Sequence, residues 1–356
     1  MGQRDMTKGA MPLVMTEFAD FKHRCLTSVF PRNTGYMWPE VTFRDLPQTN
    51  AILWGTAYDA NGDIFSFVRE MPPRGAFALS LSSNRGGDSI RPLAEGAAAY
   101  RGNVEVATTP DGLRWRSLDY LALSKPSLSV EIAGDKLRWS EDGILDFEAT
   151  LTPHAIQWFD PMPKPQQGMA YVFQFARFHG TLLGQQVDGW MGYDFQYGSP
   201  GMTMLESPLW RRGEAPGVNV SYPAFCNEYE DGSYECGTIG VGLEDWGFAA
   251  IFDGKGEVLR GRCLDFEVEL PPNRMPTRMV YKLWDDVSGK VEDWIWTLHP
   301  RGEMRSDHKP AHMHDSYFAE GVFMRAGETR KLKRVLGWPD FHADGRYDLY
   351  KAGSRG

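Results

Sequence analysis

Asp194 stands between Tyr193 and Phe195 in the aromatic run Trp190-Met-Gly-Tyr-Asp-Phe-Gln-Tyr197. A carboxylate among aromatic side chains is costly unless hydrogen-bonded, and burial of this kind lifts its pKa towards neutrality, where it can donate or accept a proton. The alternative is a turn cap, with Asp194 bonded to backbone amides near Gly192 and Gly198. On a strand, alternation puts Gln196 on the face of Asp194, where it could orient a substrate carbonyl or hydroxyl, and turns Tyr193, Phe195 and Tyr197 the other way. Tyr193, Tyr197 and Trp190 are therefore candidates for substrate contact or for ordinary packing.

Further candidates lie on both sides of this run. His179 shares a strand face with Phe175 and Arg177, and an imidazole in a cavity would supply a base, whereas a surface imidazole would not. Glu206 is a second carboxylate, and Met202 and Met204 before it offer an adaptable apolar wall or core filler. Trp246 belongs to a set of tryptophans in the second half that brings large apolar surfaces with one donor each. His308, His312 and His314 form the dense histidine cluster, and with Glu320 on a neighbouring strand they could hold a metal. The glycine-flanked spacing of a metal-binding cupin is absent, so a polar connection is the better reading. Phosphate-loop, dinucleotide-fold, nucleophile-elbow and zinc-protease motifs are also absent, so the expected chemistry needs no cofactor.

The elements that must position these residues are strands. Turn dipeptides recur at Asn61-Gly62, Asp111-Gly112, Asp142-Gly143, Asp231-Gly232 and Asp253-Gly254, each closing an alternating or aromatic run. Helical patterning is confined to Met15–Arg24 and to Arg91–Ala99, where a loop fits equally well. The proline-rich stretch from Asp160 to Gly168 reads as an extended linker. It divides the chain into an N-terminal barrel with an extension (1–160), a linker (161–167) and a C-terminal barrel (168–356). Leu145–Pro153 echoes Leu264–Pro272, which suggests duplicated halves. Antiparallel strands in this number hide their edges most completely by closing into barrels, and barrels of about eight strands can enclose one small ligand.

The 356 residues carry 38 basic and 47 acidic side chains, and a net charge of −9 disfavours nucleic acid and anionic membrane surfaces. The longest apolar run, Gly247–Phe252, is far too short to span a bilayer, and the first residues lack an unbroken apolar signal segment. Together these features give a cytoplasmic expectation. The four cysteines Cys25, Cys226, Cys236 and Cys263 contain no paired metal motif and are expected as reduced, mostly buried thiols. A two-residue turn at Asp231-Gly232 would place Cys226 and Cys236 on opposite faces of their hairpin.

Two motifs support a resemblance over residues 45 to 300. In the second half, Val187, Asp188 and Gly189 followed by Asp194 and Gly198 resemble the second barrel of the tandem lipocalin-like superfamily. This superfamily includes hydroxyneurosporene synthase type carotenoid hydratases and fungal lipocalin-like Diels–Alderases. In the first half, Trp54-Gly-Thr-Ala-Tyr58-Asp59 with Phe65-Ser-Phe-Val-Arg69 is similar to two of its strand motifs. The resemblance implies two lipocalin-like antiparallel β-barrels in tandem, an all-β chain. Many relatives follow the aspartate with histidine, but this chain has Phe195, Gln196 and Tyr197 there, so Asp194 alone carries over as acid or base.

Resemblance and cavity physics together point to a hydrophobic small molecule of isoprenoid, steroid or polyketide type, held in the second barrel or between barrels. The protein would hydrate, dehydrate, isomerise or cyclise that ligand, or merely carry it. A carbohydrate-active protein would instead need paired carboxylates in an open groove.

Overall fold

The computed structural model describes residues 25–343 apart from 38–40, 44, 72–74, 95–97, 103, 110, 119–127, 161–167, 200–218, 243–245, 270–275 and 305–318. The expected helix at Met15–Arg24 lies outside the described residues, and the second helical candidate begins and ends in strand, at Arg91–Pro92 and Ala98–Gly102. No helix among the described residues is long and apolar enough to cross a membrane.

The first fourteen strands form one antiparallel sheet. They are β1 (Leu26–Pro31), β2 (Thr42–Phe43), β3 (Leu46–Asp59), β4 (Ile64–Glu70), β5 (Gly75–Ser83), β6 (Arg91–Pro92), β7 (Ala98–Gly102), β8 (Val104–Thr109), β9 (Gly112–Ser117), β10 (Leu128–Ala133), β11 (Lys136–Glu141), β12 (Leu145–Asp160), β13 (Met169–Leu182) and β14 (Gln185–Gly198). Its main path runs β6-β5-β4-β3-β14-β13-β12-β11-β10-β9-β8. Strand β12 is shared along its length. Residues 145–150 pair with β11, and residues 154–159 pair with β1 beyond an irregularity between Leu151 and Ala155. Gln174 on β13 stitches that irregularity, donating to the Thr152 hydroxyl at 2.8 Å and to the Thr152 carbonyl at 3.1 Å. Bends of this kind curl a sheet, and here the result is a half-barrel.

The remaining strands are β15 (Asn219–Ser221), β16 (Ala224–Tyr229), β17 (Tyr234–Val241), β18 (Gly247–Asp253), β19 (Gly256–Glu269), β20 (Arg278–Asp285), β21 (Val291–Leu298), β22 (Gly321–Arg325), β23 (Leu332–Trp338) and β24 (Phe341–Ala343). Strands β16 to β23 form a nearly closed up-and-down barrel. The hydrogen-bonded ladder runs from β22 through β17 to β16 and β23. At the remaining seam Trp296 Nε1 donates to the Gly337 carbonyl at 2.9 Å. Gly337 approaches so closely that a Cβ there would lie 2.0 Å from the Gly321 carbonyl oxygen. The molecule is thus all-β, with two barrels in tandem and the first of them open.

The boundary read at 161–167 is corrected. Strands β12 and β13 flank that stretch and are hydrogen-bonded neighbours, with Asp160 opposite Met169. The proline-rich segment therefore connects two strands of one sheet, and the chain passes to the second barrel between Gly198 and Asn219. The internal echo does not mark equivalent positions either. Leu145 opens β12 and is 4% exposed, whereas Leu264 lies inside β19 and is 43% exposed.

Three cores follow from strand alternation. Phe67, Trp139, Phe147, Phe178, Tyr193 and Phe195 fill the concave side of the half-barrel. Phe225, Ile251, Tyr281, Trp294 and Phe323 fill the second barrel. Trp54, Trp158, Tyr171, Phe173, Tyr222 and Phe248 form a third core between the two sheets.

Candidate functional site

The third core contains the polar groups that chemistry would need. Strand β14 lies between β3 and β13, with Asp194 opposite Ile52 on one side and Phe173 on the other. Its even-numbered residues Trp190, Gly192, Asp194 and Gln196 turn towards the second barrel, while Tyr193, Phe195 and Tyr197 turn into the half-barrel. Gly192 sits directly across from Trp54, and a Cβ at Gly192 would fall 2.5 Å from the indole. The missing side chain is what lets the Trp54 ring lie over β14, next to Asp194.

Asp194 is buried, and this desolvation holds its carboxyl well above the usual carboxylate range. The neighbouring Trp54 indole offsets part of the rise and the negative charge of Asp340 adds to it. Asp194 Oδ1 and Trp54 Nε1 nevertheless make no hydrogen bond of normal geometry. An orphaned buried pair of this kind is uncommon in folded proteins and calls for a reason.

Around Asp194 the aromatic groups come from both sheets. Trp158 stacks on Tyr171 with ring centroids 5.4 Å apart, and Tyr171 stacks on Phe173 at 4.8 Å. Tyr222, from the second barrel, accepts a hydrogen bond from Trp158 Nε1, and Gln196 Nε2 donates to the Tyr171 hydroxyl at 2.5 Å. Burial pushes the Tyr222 hydroxyl well up, and the charges of Tyr171 and Asp194 push it further. Trp246 closes the far side, 6.3 Å from the Trp158 ring.

A second buried carboxyl is linked to Trp54 through Trp338, whose ring packs against the Trp54 indole. Glu320, just before β22, accepts on Oε1 from Thr56 Oγ1 and Ser66 Oγ, each at 2.6 Å, and from Trp338 Nε1 at 2.7 Å. Its Oε2 has no partner. Desolvation lifts this carboxyl to about 7, while the Ser66, Thr56 and Trp338 hydrogen bonds oppose the rise. Because three donors occupy Oε1, the titrating proton belongs on Oε2. The Trp54 and Trp338 rings pack 5.1 Å apart, and Trp338 is the indole that donates to Glu320.

All three cores are closely buried, and Trp158, Phe175 and Phe248 between the sheets retain no exposure. Trp54, Asp194 and Trp338 each retain 5% exposure, and Tyr281, Trp294 and Phe323 retain none. Side chains fill the second barrel, with Phe225, Tyr281, Trp294 and Phe323 packed inside it.

The other sequence candidates scatter. His179 is on the surface, 74% exposed and 3.9 Å from Glu148, so it is not an enclosed base. Tyr193 and Tyr197 pack into the half-barrel, with the Tyr197 hydroxyl bonded to the Tyr36 carbonyl, and so cannot meet a ligand on the face of Asp194. Trp190 Nε1 donates to Glu228 at 3.3 Å, at the end of the third core. Glu206, Met202 and Met204 lie outside the described residues, as do His308, His312 and His314. Among the described residues no group of three or more His, Cys, Asp or Glu is placed to hold a metal ion.

No family model and no curated protein sequence matches the chain. Among solved structures similar to the chain are two that align along most of its length. An AttH-like protein of Nitrosomonas europaea aligns with a TM-score of 0.45 at 15% identity, covering 85% of this chain and 95% of its own. Kievitone hydratase of Nectria haematococca aligns with a TM-score of 0.42 at 11% identity, covering 87% of this chain and 94% of its own.

Proposed function

We propose that the region between the two barrels binds a hydrophobic small molecule of isoprenoid, steroid or polyketide type. Asp194 and Glu320 then perform cofactor-free acid–base chemistry on it, as hydration, dehydration, isomerisation or cyclisation. The observation that carries this reading is a pair of buried carboxyls, each with one unpartnered oxygen, linked through the Trp54–Trp338 contact.

The two groups suit different roles. Burial favours the protonated form of Asp194, which serves as the donor to a substrate alkene carbon or leaving hydroxyl. Glu320, with a pKa of about 7, is ionised often enough to accept a proton at Oε2, from an attacking water or from a carbon next to the leaving group. Gln196 and the Tyr171 hydroxyl are joined beside Asp194 and would fix the orientation of an oxygen on the ligand. Stacked rings supply an apolar wall that excludes water and selects the reactive conformer.

The test begins with mass spectrometry of small molecules that co-purify with the protein, followed by turnover of the compound identified. Asp194→Asn and Glu320→Gln should each lower turnover by ~10²- to 10⁴-fold while leaving ligand affinity within a few-fold. Full activity in both variants would remove the acid–base mechanism. Tight binding without turnover in the unmodified protein would make it a carrier.

A further inference from the structure

The β16–β17 hairpin carries two cysteines in a geometry that the sequence did not disclose. Its loop is three residues long, 230–232, with Tyr229 N donating to the Ser233 carbonyl at 2.9 Å and Gly232 in the left-handed region at φ 81°. One residue more than the expected two-residue turn shifts the register by one. Cys226 and Cys236 become direct cross-strand partners on one face rather than neighbours on opposite faces. Their sulfurs lie 2.8 Å apart, and both side chains are fully buried in the core between the barrels. Cys25 and Cys263 have no such sulfur neighbour. Cys25 faces Asp160, and Cys263 Sγ is directed at the Asp265 carbonyl.

We infer that Cys226 and Cys236 form an intramolecular disulfide when a low-molecular-weight disulfide is present, and that they do so before the hairpin packs into the interface. In the first step one thiolate attacks a sulfur of the oxidant, such as glutathione disulfide, and releases one thiolate of the oxidant. In the second step the other cysteine displaces the second one. The protein loses two electrons and two protons, and the oxidant becomes two thiols. The order of events follows from access. Both sulfurs are sealed once the barrels meet, and burial pushes both thiols up, so the attacking thiolate is scarce in the folded chain. In the unfolded chain the two cysteines are ten residues apart and a local turn brings them together. The bond would tie β16 to β17, and β16 bears Glu228, which binds Arg177 of the half-barrel.

The experiment unfolds the full-length chain in urea and refolds it by dilution into glutathione disulfide or into reductant. Thiols are then counted under denaturing conditions. A parallel sample held at the urea midpoint with the oxidant reports the same chemistry if refolding is inefficient. The expected result is two thiols remaining of four, a mass lower by two hydrogens, and a proteolytic fragment linking Cys226 to Cys236. The Cys25→Ser/Cys263→Ser double variant should show the same loss, and Cys236→Ser should abolish it. Folded protein placed directly in the oxidant should react at least ~10-fold more slowly than the unfolded chain. Four thiols after both treatments, a bridge to Cys25 or Cys263, or equal rates for folded and unfolded protein would overturn the inference.

Discussion

The indoles of Trp54 and Trp338 meet with ring centroids 5.1 Å apart and planes at 47°, one from each sheet. Trp54 lies beside Asp194 and Trp338 donates to Glu320, so this contact joins two carboxyls that are far apart in sequence. Moving either ring would disturb the pair, which makes the glycine beneath Trp54 a sensitive position.

Gly192→Ala tests that dependence. The added Cβ would lie 2.5 Å from the Trp54 indole, so the ring must shift into Trp338 or Phe175, which pack against it. Overpacking of this kind costs about 1–3 kcal/mol. Urea unfolding should show the loss, and tryptophan fluorescence at zero urea should show a changed Trp54 environment. Unchanged stability together with an unchanged emission spectrum would mean that the indole does not rest on Gly192.

Glu320→Gln tests the titration of the second carboxyl. The folded-state pKa of Glu320 is raised from 4.5 to about 7, so the folded protein binds this proton more tightly than the unfolded chain. Its contribution to stability is fully present below pH ~4.5 and is lost as pH rises through about 7, a swing of about 3 kcal/mol. Asp160, lifted to about 7 by burial, titrates in the same window. The informative quantity is therefore the difference between variant and unmodified protein. Glu320→Gln should flatten the decline between pH 5 and 8, and parallel stability curves would show that Glu320 does not titrate there.

Glu228 joins the two barrels at the end of the interface. It is almost fully buried and receives Arg177 at 3.0 Å and Trp190 at 3.3 Å from the half-barrel, and Lys333 at 2.9 Å from its own barrel. Removing Glu228 deletes all three contacts at once and leaves the buried Trp190 Nε1 without its acceptor, although Arg177 and Lys333 are about half exposed and can return to water, whereas removing Lys333 leaves the carboxylate with Arg177 and Trp190. Glu228→Ala should cost about 1–3 kcal/mol. Lys333→Ala should cost under ~1 kcal/mol. Equal effects of the two substitutions, measured by denaturant titration, would rule out this asymmetry.

What the sequence disclosed was mostly local. Period-two alternation placed Asp194 and Gln196 on one face of β14 and Tyr193, Phe195 and Tyr197 on the other, and glycine-containing dipeptides located the hairpins. Errors arose where one residue or one distant pairing decides the outcome. The loop at 230–232 is longer by one residue than its dipeptide implies, which reverses the facing of Cys226 and Cys236. The proline-rich stretch after Asp160 looks like a boundary because the pairing of β12 with β13 across it is invisible in composition. Glu320 entered the sequence reading only as a neighbour of the histidine cluster. Its actual partners Thr56 and Ser66 lie 264 and 254 residues away, and no local pattern records them.

Trp338→Phe provides the sharpest test of the acid–base reading, because it touches Glu320 through one hydrogen bond and keeps a ring against Trp54. The indole N–H donates to Glu320 Oε1 at 2.7 Å and favours the carboxylate. Loss of a hydrogen bond to a charged group is worth about 1.5–3 kcal/mol. This corresponds to a further rise of the Glu320 pKa by roughly one to two pH units. If Glu320 acts as the base, kcat/KM of the unmodified protein rises with pH through about 7, as the carboxylate forms. In Trp338→Phe that limb should move upward by at least ~1 pH unit, with kcat at the new plateau within a few-fold of the original. Glu320→Gln should lack the limb entirely, and Asp194→Asn should keep it at reduced amplitude. A limb that stays in place in Trp338→Phe but vanishes in Glu320→Gln would remove Trp338 as a positioning residue. A limb that survives in Glu320→Gln would assign the base to another group.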